Sequence, residues 1–131
     1  MYSRKVGNQY DKLRWKTMSG RQVEGAVLEK AALQLRRAQA NLEDGVLSDE
    51  ADEAIAFNKR VWDVLRSGWL RQDCALPDQI RGNLINLAVY MAKAELAFRA
   101  DPTAARLAGM IQVNESLATG LGVTEQAGAM A

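Results

Sequence analysis

Apolar residues recur at steps of three and four in four successive segments of this chain. Val23, Val27, Ala31, Leu35, Ala38 and Leu42 form one stripe, and Ala51, Ile55, Asn58, Trp62, Leu65 and Trp69 a second. Ile80, Leu84, Leu87, Met91, Ala94 and Phe98 form a third, and Leu107, Ile111, Asn114, Leu117 or Ala118, and Leu121 a fourth. That spacing keeps one face of a helix apolar, whereas no stretch alternates with period two for long enough to make a strand. Start signals stand ahead of each stripe: Ser19 with Gln22 as a capping box, Ser48 before Asp49 and Glu50, Pro77 after Leu76, and Asp101 before Pro102. The spacing predicts helices over 19–43, 48–72, 77–99 and 102–119, with Gly45 and Gly120 ending the first and fourth. A short extra helix fits across Gln9 to Lys16. Short connections between amphipathic helices predict an all-α fold, a small antiparallel bundle of about four helices. The expected organisation is a basic N-terminal arm over 1–18, a bundle domain over 19–121 and a flexible tail over 122–131.

The third segment is apolar on more than one side. Its stripe occupies roughly 80° of the helical wheel, yet Ile85, Val89, Ala92 and Leu96 fall on the opposite side, beside Gly82. A helix apolar on two faces is either central in its domain or offers one face to a partner. The second segment is milder: Phe57 and Val64 extend its stripe on one flank. Trp62 and Trp69 are either core residues or interface anchors. Asn58 and Asn114 occupy stripe positions, where a polar side chain is costly unless paired and where it can fix register.

Composition narrows the chemistry. The 131 residues contain no histidine and one cysteine, Cys74. That removes Ser-His-Asp and Cys-His sites, imidazole metal centres and any intrachain disulfide, and it favours a reducing compartment. Acid pairs such as Asp49 with Asp52 sit at a helix start, where the helix dipole explains them, and no calcium-loop or phosphate-loop spacing occurs. No enzyme, metal or cofactor is expected. The longest apolar stretch, Leu84 to Ala92, is far short of the ~20 residues a membrane helix needs. Charge is near balance overall, at +1, but residues 1–21 carry six Lys/Arg against Asp11 and the rest sums to −4. Glu43 to Glu53 holds six acids and no base. The arm either seeks an acidic partner or rests on that linker.

Three stretches together resemble a known family. Phe57-Asn58-Lys59-Arg60-Val61-Trp62, then Leu76-Pro77-Asp78-Gln79-Ile80-Arg81-Gly82-Asn83-Leu84-Ile85-Asn86-Leu87, then Ile111-Gln112-Val113-Asn114-Glu115-Ser116-Leu117-Ala118-Thr119-Gly120-Leu121 are similar to the FlaF flagellar biosynthesis regulators. Upstream, Ser19-Gly20-Arg21-Gln22-Val23-Glu24 resembles that family's Ser-Pro-Arg-Glu-apolar-Glu entry, with Gly20 and Gln22 as departures. The similarity covers about residues 8–122. It implies a cytoplasmic protein of flagellated alphaproteobacteria that promotes flagellin synthesis and secretion, beside FlbT, with flagellin as partner and no cofactor. FlbT and the flagellar export apparatus are further partners it suggests. Joined to the surplus apolar faces, the resemblance leads to a chaperone that holds a flagellin helix in a groove between the second and third helices. Phe57, Val64, Ile85, Val89 and Leu96 are the expected anchors. Asn58, Trp62, Trp69, Pro77, Asn83, Leu87 and Asn114 are the expected structural positions. Two other readings stand beside it: an RNA-associated regulator of flagellin acting with FlbT, and a structural adaptor or homodimer closed by the third helix. The near-balanced charge makes nucleic acid the weaker partner.

Overall fold

The computed structural model describes the backbone of residues 20–130 and the side chains of residues 23–121. Four helices follow one another: α1 Gly20–Asn41, α2 Asp49–Trp69, α3 Asp78–Ala100 and α4 Ala104–Met130. No strand occurs among the described residues. Each helix packs on its sequence neighbour and α4 closes back on α1, giving an up-down-up-down bundle in which α1 with α4 is the most extensive pairing. Gly25 near the start of α1 lies against the Ala118 carbonyl, and Gln39 near its end donates to the Ala104 carbonyl at 2.9 Å, so the two run antiparallel. The arm, the Ser19 cap and the helix expected over Gln9 to Lys16 lie outside the described residues.

The helix ends show which start and stop signals act. Ser48 caps α2: its Oγ accepts from the Ala51 N–H at 3.1 Å, with Asp49, Glu50 and Asp52 in the positive first turn. Pro77 stands just outside α3, in an extended conformation, and its carbonyl accepts the Arg81 N–H at 2.9 Å. Three expectations need correction. Gly45 does not end α1, which stops at Asn41; at φ +90° it occupies a turn closed by Val46 N–H to Glu43 carbonyl at 3.0 Å. Pro102 does not open α4. Its carbonyl accepts the Gly45 N–H at 2.8 Å, and the helix begins at Ala104, whose N–H donates to Asp44 Oδ1 at 3.0 Å. The cap therefore comes from the opposite loop, and Asp101 pairs with Arg106 instead. Gly120 does not end α4 either, and the backbone is helical through the expected tail as far as Met130. A glycine inside a helix costs only about 1 kcal/mol, and Ala118 and Leu121 on either side are buried in the bundle.

The core is built from the predicted stripes, most completely on α2, where Ala51, Ile55, Asn58, Trp62, Leu65 and Trp69 are all buried. Leu28 and Met110, outside the stripes, are buried as fully as Leu35, Leu107 and Phe98. Trp62 and Trp69 pack edge to face with centroids 6.0 Å apart, which settles them as core residues. α3 is the exception. It buries only Ala88, Met91 and Phe98, so its first three turns contribute half-buried residues at most and Ile80 is left exposed. It is not the central helix of the bundle: its outer face is open to solvent.

The two stripe asparagines are paired across the interior. Trp62 Nε1–H of α2 donates to Asn114 Oδ1 of α4 at 2.8 Å, and Asn114 Nδ2–H donates back to Asn58 Oδ1 of α2 at 2.7 Å. Asn58 Nδ2 then reaches Met91 Sδ of α3 at 3.8 Å, a weak contact with a third helix. No buried side-chain nitrogen or oxygen is left without a partner among the described residues. On the surface, Arg36 of α1 binds Glu115 of α4 through both nitrogens at 2.8 and 2.6 Å. That hydrogen bond holds the Glu115 carboxyl below its usual range and raises Arg36. Arg99 of α3 bridges to Asp52 of α2 at 2.7 Å, and that bond leads the causes raising it.

Candidate functional site

Among the described residues the polar interior is satisfied, and the surface carries two apolar features. Among the described residues no group of three His, Cys, Asp or Glu side chains is placed to hold a metal ion, and no helix is long and apolar enough to cross a membrane.

The outer face of α3 carries the first apolar feature. Val89 is 44% exposed and Leu96 69% exposed, one above the other at a seven-residue step, with Ala92 between them. Ile85, one turn earlier on the same face, is half-buried against the core. The helix turns its other side, through Met91 and Phe98, into the bundle.

α2 places its two flanking residues elsewhere. Phe57 packs partly against the core toward α1, with the Lys30 ammonium 5.4 Å from its ring centroid. Val64, two turns on, is 72% exposed and borders a groove at the end of the bundle where α1 begins. The five expected anchors thus do not share one groove. Ile85, Val89 and Leu96 form a continuous stripe, Phe57 belongs to the α1–α2 seam, and Val64 belongs to the end groove.

A cleft does separate α2 from α3, but it has a different lining. About 210 Å³ in volume, it is lined by Met91, Ala92 and Trp62 together with the charged Lys59, Asp63, Arg66 and Glu95. Lys59 bonds Asp63 at 2.7 Å, which raises the lysine. A small cleft with four charged side chains in its lining does not suit an apolar helix. The end groove is larger, about 470 Å³, within the range of ligand pockets. Trp69, Leu76, Leu84, Leu117 and Leu121 line it, with Cys74 in its wall and Glu24 at its rim. Residue spacing gave no notice of this groove, because its walls come from three helices and the 70–77 loop. Leu76 and Leu121 fall within the stretches that carry the family resemblance.

The expected structural positions divide as well. Asn58, Trp62, Trp69 and Asn114 are buried, Leu87 is half-buried against the core, and Pro77 and Asn83 are exposed. Cys74 is half-buried in its loop, below Asp73, whose carboxyl is lowered by hydrogen bonds from Arg71. The acidic stretch 43–53 lies at the far end of α1 from the arm, roughly 33 Å away along a 22-residue helix. The arm itself lies outside the described residues.

Comparison with family models matches the chain to the one described as flagellar protein FlaF, over residues 7–121. Searches of curated proteins and of solved structures gave no match.

Proposed function

Since the chain belongs to the FlaF family of flagellar proteins, we propose that it acts as a cytoplasmic chaperone that promotes flagellin synthesis and secretion by holding a flagellin helix on the outer face of α3. The observation that carries this reading is the exposed stripe of Val89 and Leu96 on a helix whose other side already supplies core residues. Burying such a stripe against a partner's amphipathic helix gains apolar contact at no cost to the bundle. Flagellin's terminal segments become amphipathic helices only in the filament, and a face of this kind shields them until export. Folding of such a segment on binding consumes part of the interaction energy, which suits capture that must be released. FlbT and the export apparatus are further partners under this reading, and neither enzyme activity nor a cofactor enters it.

The test is capture of purified flagellin at ordinary salt by the full chain and by the Val89→Asp and Leu96→Asp variants. Loss of an interface anchor costs more than about 1–2 kcal/mol, so capture falls about tenfold or more while helical circular dichroism and melting stay unchanged. Undiminished capture by both folded variants overturns the assignment to α3. If light scattering shows a dimer that both variants split while flagellin is still captured, the stripe is a homodimer seam. RNA-associated regulation has less support, because residues 22–131 sum to −4 and offer no large phosphate footprint.

A further inference from the structure

The groove at the α1 end of the bundle is larger than the α2–α3 cleft, and one segment of the chain matches it in place and pattern. Trp69 of α2, Leu76 of the loop, Leu84 of α3, and Leu117 and Leu121 of α4 face into it. Glu24 at its rim lies one helical turn from Gly20, where α1 starts. The start of α1, to which the preceding residues are joined, is therefore close to the edge of the groove.

The preceding residues have the composition of an occupant. Tyr2, Val6, Tyr10 and Leu13 step by four, four and three, which puts them within roughly 80° on a helical wheel. Arg4, Lys5, Lys12 and Arg14 fall off that stripe. The stripe complements an apolar trough. Length also fits. A helix over 2–13 spans roughly 18 Å, and the six residues 14–19 reach up to about 20 Å when extended, enough for the helix to turn back onto the bundle. The family match starts at residue 7, thirteen residues ahead of α1, so the matched region includes Tyr10 and Leu13 of this stripe.

We propose that residues 2–13 dock as an amphipathic helix in the end groove of their own chain, seated by Tyr2, Val6, Tyr10 and Leu13. Tethering makes the segment's effective concentration at the groove about millimolar, above that of any second copy in dilute solution. The end groove is a different surface from the α3 stripe, and its occupancy can be tested without flagellin.

The chain's one cysteine supplies the probe, because Cys74 lines the groove. Single variants Val6→Cys, Tyr10→Cys and Leu13→Cys in the full chain are oxidised mildly, with Asn8→Cys, on the opposite side of the segment's wheel, as control. A disulfide needs Cα atoms within about 7 Å. At least one stripe variant is expected to form an intramolecular disulfide with Cys74 about tenfold faster than Asn8→Cys, at a rate independent of protein concentration. In a second measurement, Val6→Asp with Tyr10→Asp speeds maleimide labelling of Cys74 about tenfold, the change expected when an arm docked nine-tenths of the time is released. Equal rates for all four cysteine variants overturn the proposal. So does a cross-linked dimer that grows with concentration, which would make the occupant a second copy.

Discussion

Asn114 and Asn58 face each other across the bundle interior, amide to carbonyl at 2.7 Å, and each is at most 1% exposed. The bond joins α4 to α2, which are diagonal partners, and it holds Asn114 Oδ1 in place for the Trp62 indole. Low surrounding polarity strengthens such bonds and makes their loss expensive. Asn114→Leu strands both the Trp62 N–H and the Asn58 oxygen, so unfolding in urea should show a loss of about 2–4 kcal/mol, from two unsatisfied buried groups. Asn58→Leu leaves only the Asn114 amide unpaired and should cost less. The double variant should cost less than the sum of the two, because the pair shares one bond.

The start of α4 is capped from another loop. Asp44→Ala removes the acceptor for the Ala104 N–H, and a lost cap costs about 1 kcal/mol. Gly45→Ala puts a side chain at φ +90° and should cost about as much. Because Asp44 and Gly45 both bind the 102–104 connection, the two losses should not add fully in a double-mutant cycle on the urea midpoint.

Gly82 lies inside α3, and a β-carbon there meets nothing within 4 Å. Gly82→Ala should therefore stabilise the protein by up to about 1 kcal/mol, by lowering the backbone freedom of the unfolded chain. A raised melting temperature is the expected result.

Glu115 and Asp73 have carboxyls held below their ordinary values of 4.5 and 3.8 by hydrogen bonds from Arg36 and Arg71. A carboxyl lowered in the folded state stabilises fully above its ordinary value, and the contribution disappears as pH falls through the lowered one. Stability should thus decline on acidification below about pH 4.5. The Arg36→Ala variant should show a shallower decline, measured as urea midpoint against pH. Both pairs are exposed, so added salt should shrink the difference.

Most of the helix pattern is readable before any coordinates, because burial follows the same period as the residues that need it. The α2 stripe is buried from Ala51 to Trp69 without exception. The failures have a common origin in contacts between distant segments. Pro102 and Gly45 look like independent local signals, yet they bind each other across two loops. Gly120 looks like a stop, yet tertiary packing carries the helix past it. Ile80 has the right phase for the core but precedes the part of α3 that reaches it. The candidate surfaces divide in the same way. Wheel geometry shows that Val89 and Leu96 share a face opposite Met91, while only the folded bundle brings Trp69, Leu84 and Leu121 to one groove.

The uneven anchoring of α3 bears on how the molecule breathes. Nothing before Ala88 in that helix is fully buried, whereas α1 and α4 clasp each other along most of the length of α1. Amide protons of residues 79–87 should exchange through a local opening of low free energy, well ahead of those in α1, which await global unfolding. Leu84 belongs to that weakly held stretch and is also a wall of the end groove. The groove's width should then vary with how often three turns of one helix fray, and slower hydrogen exchange on α3 should report that the groove is occupied.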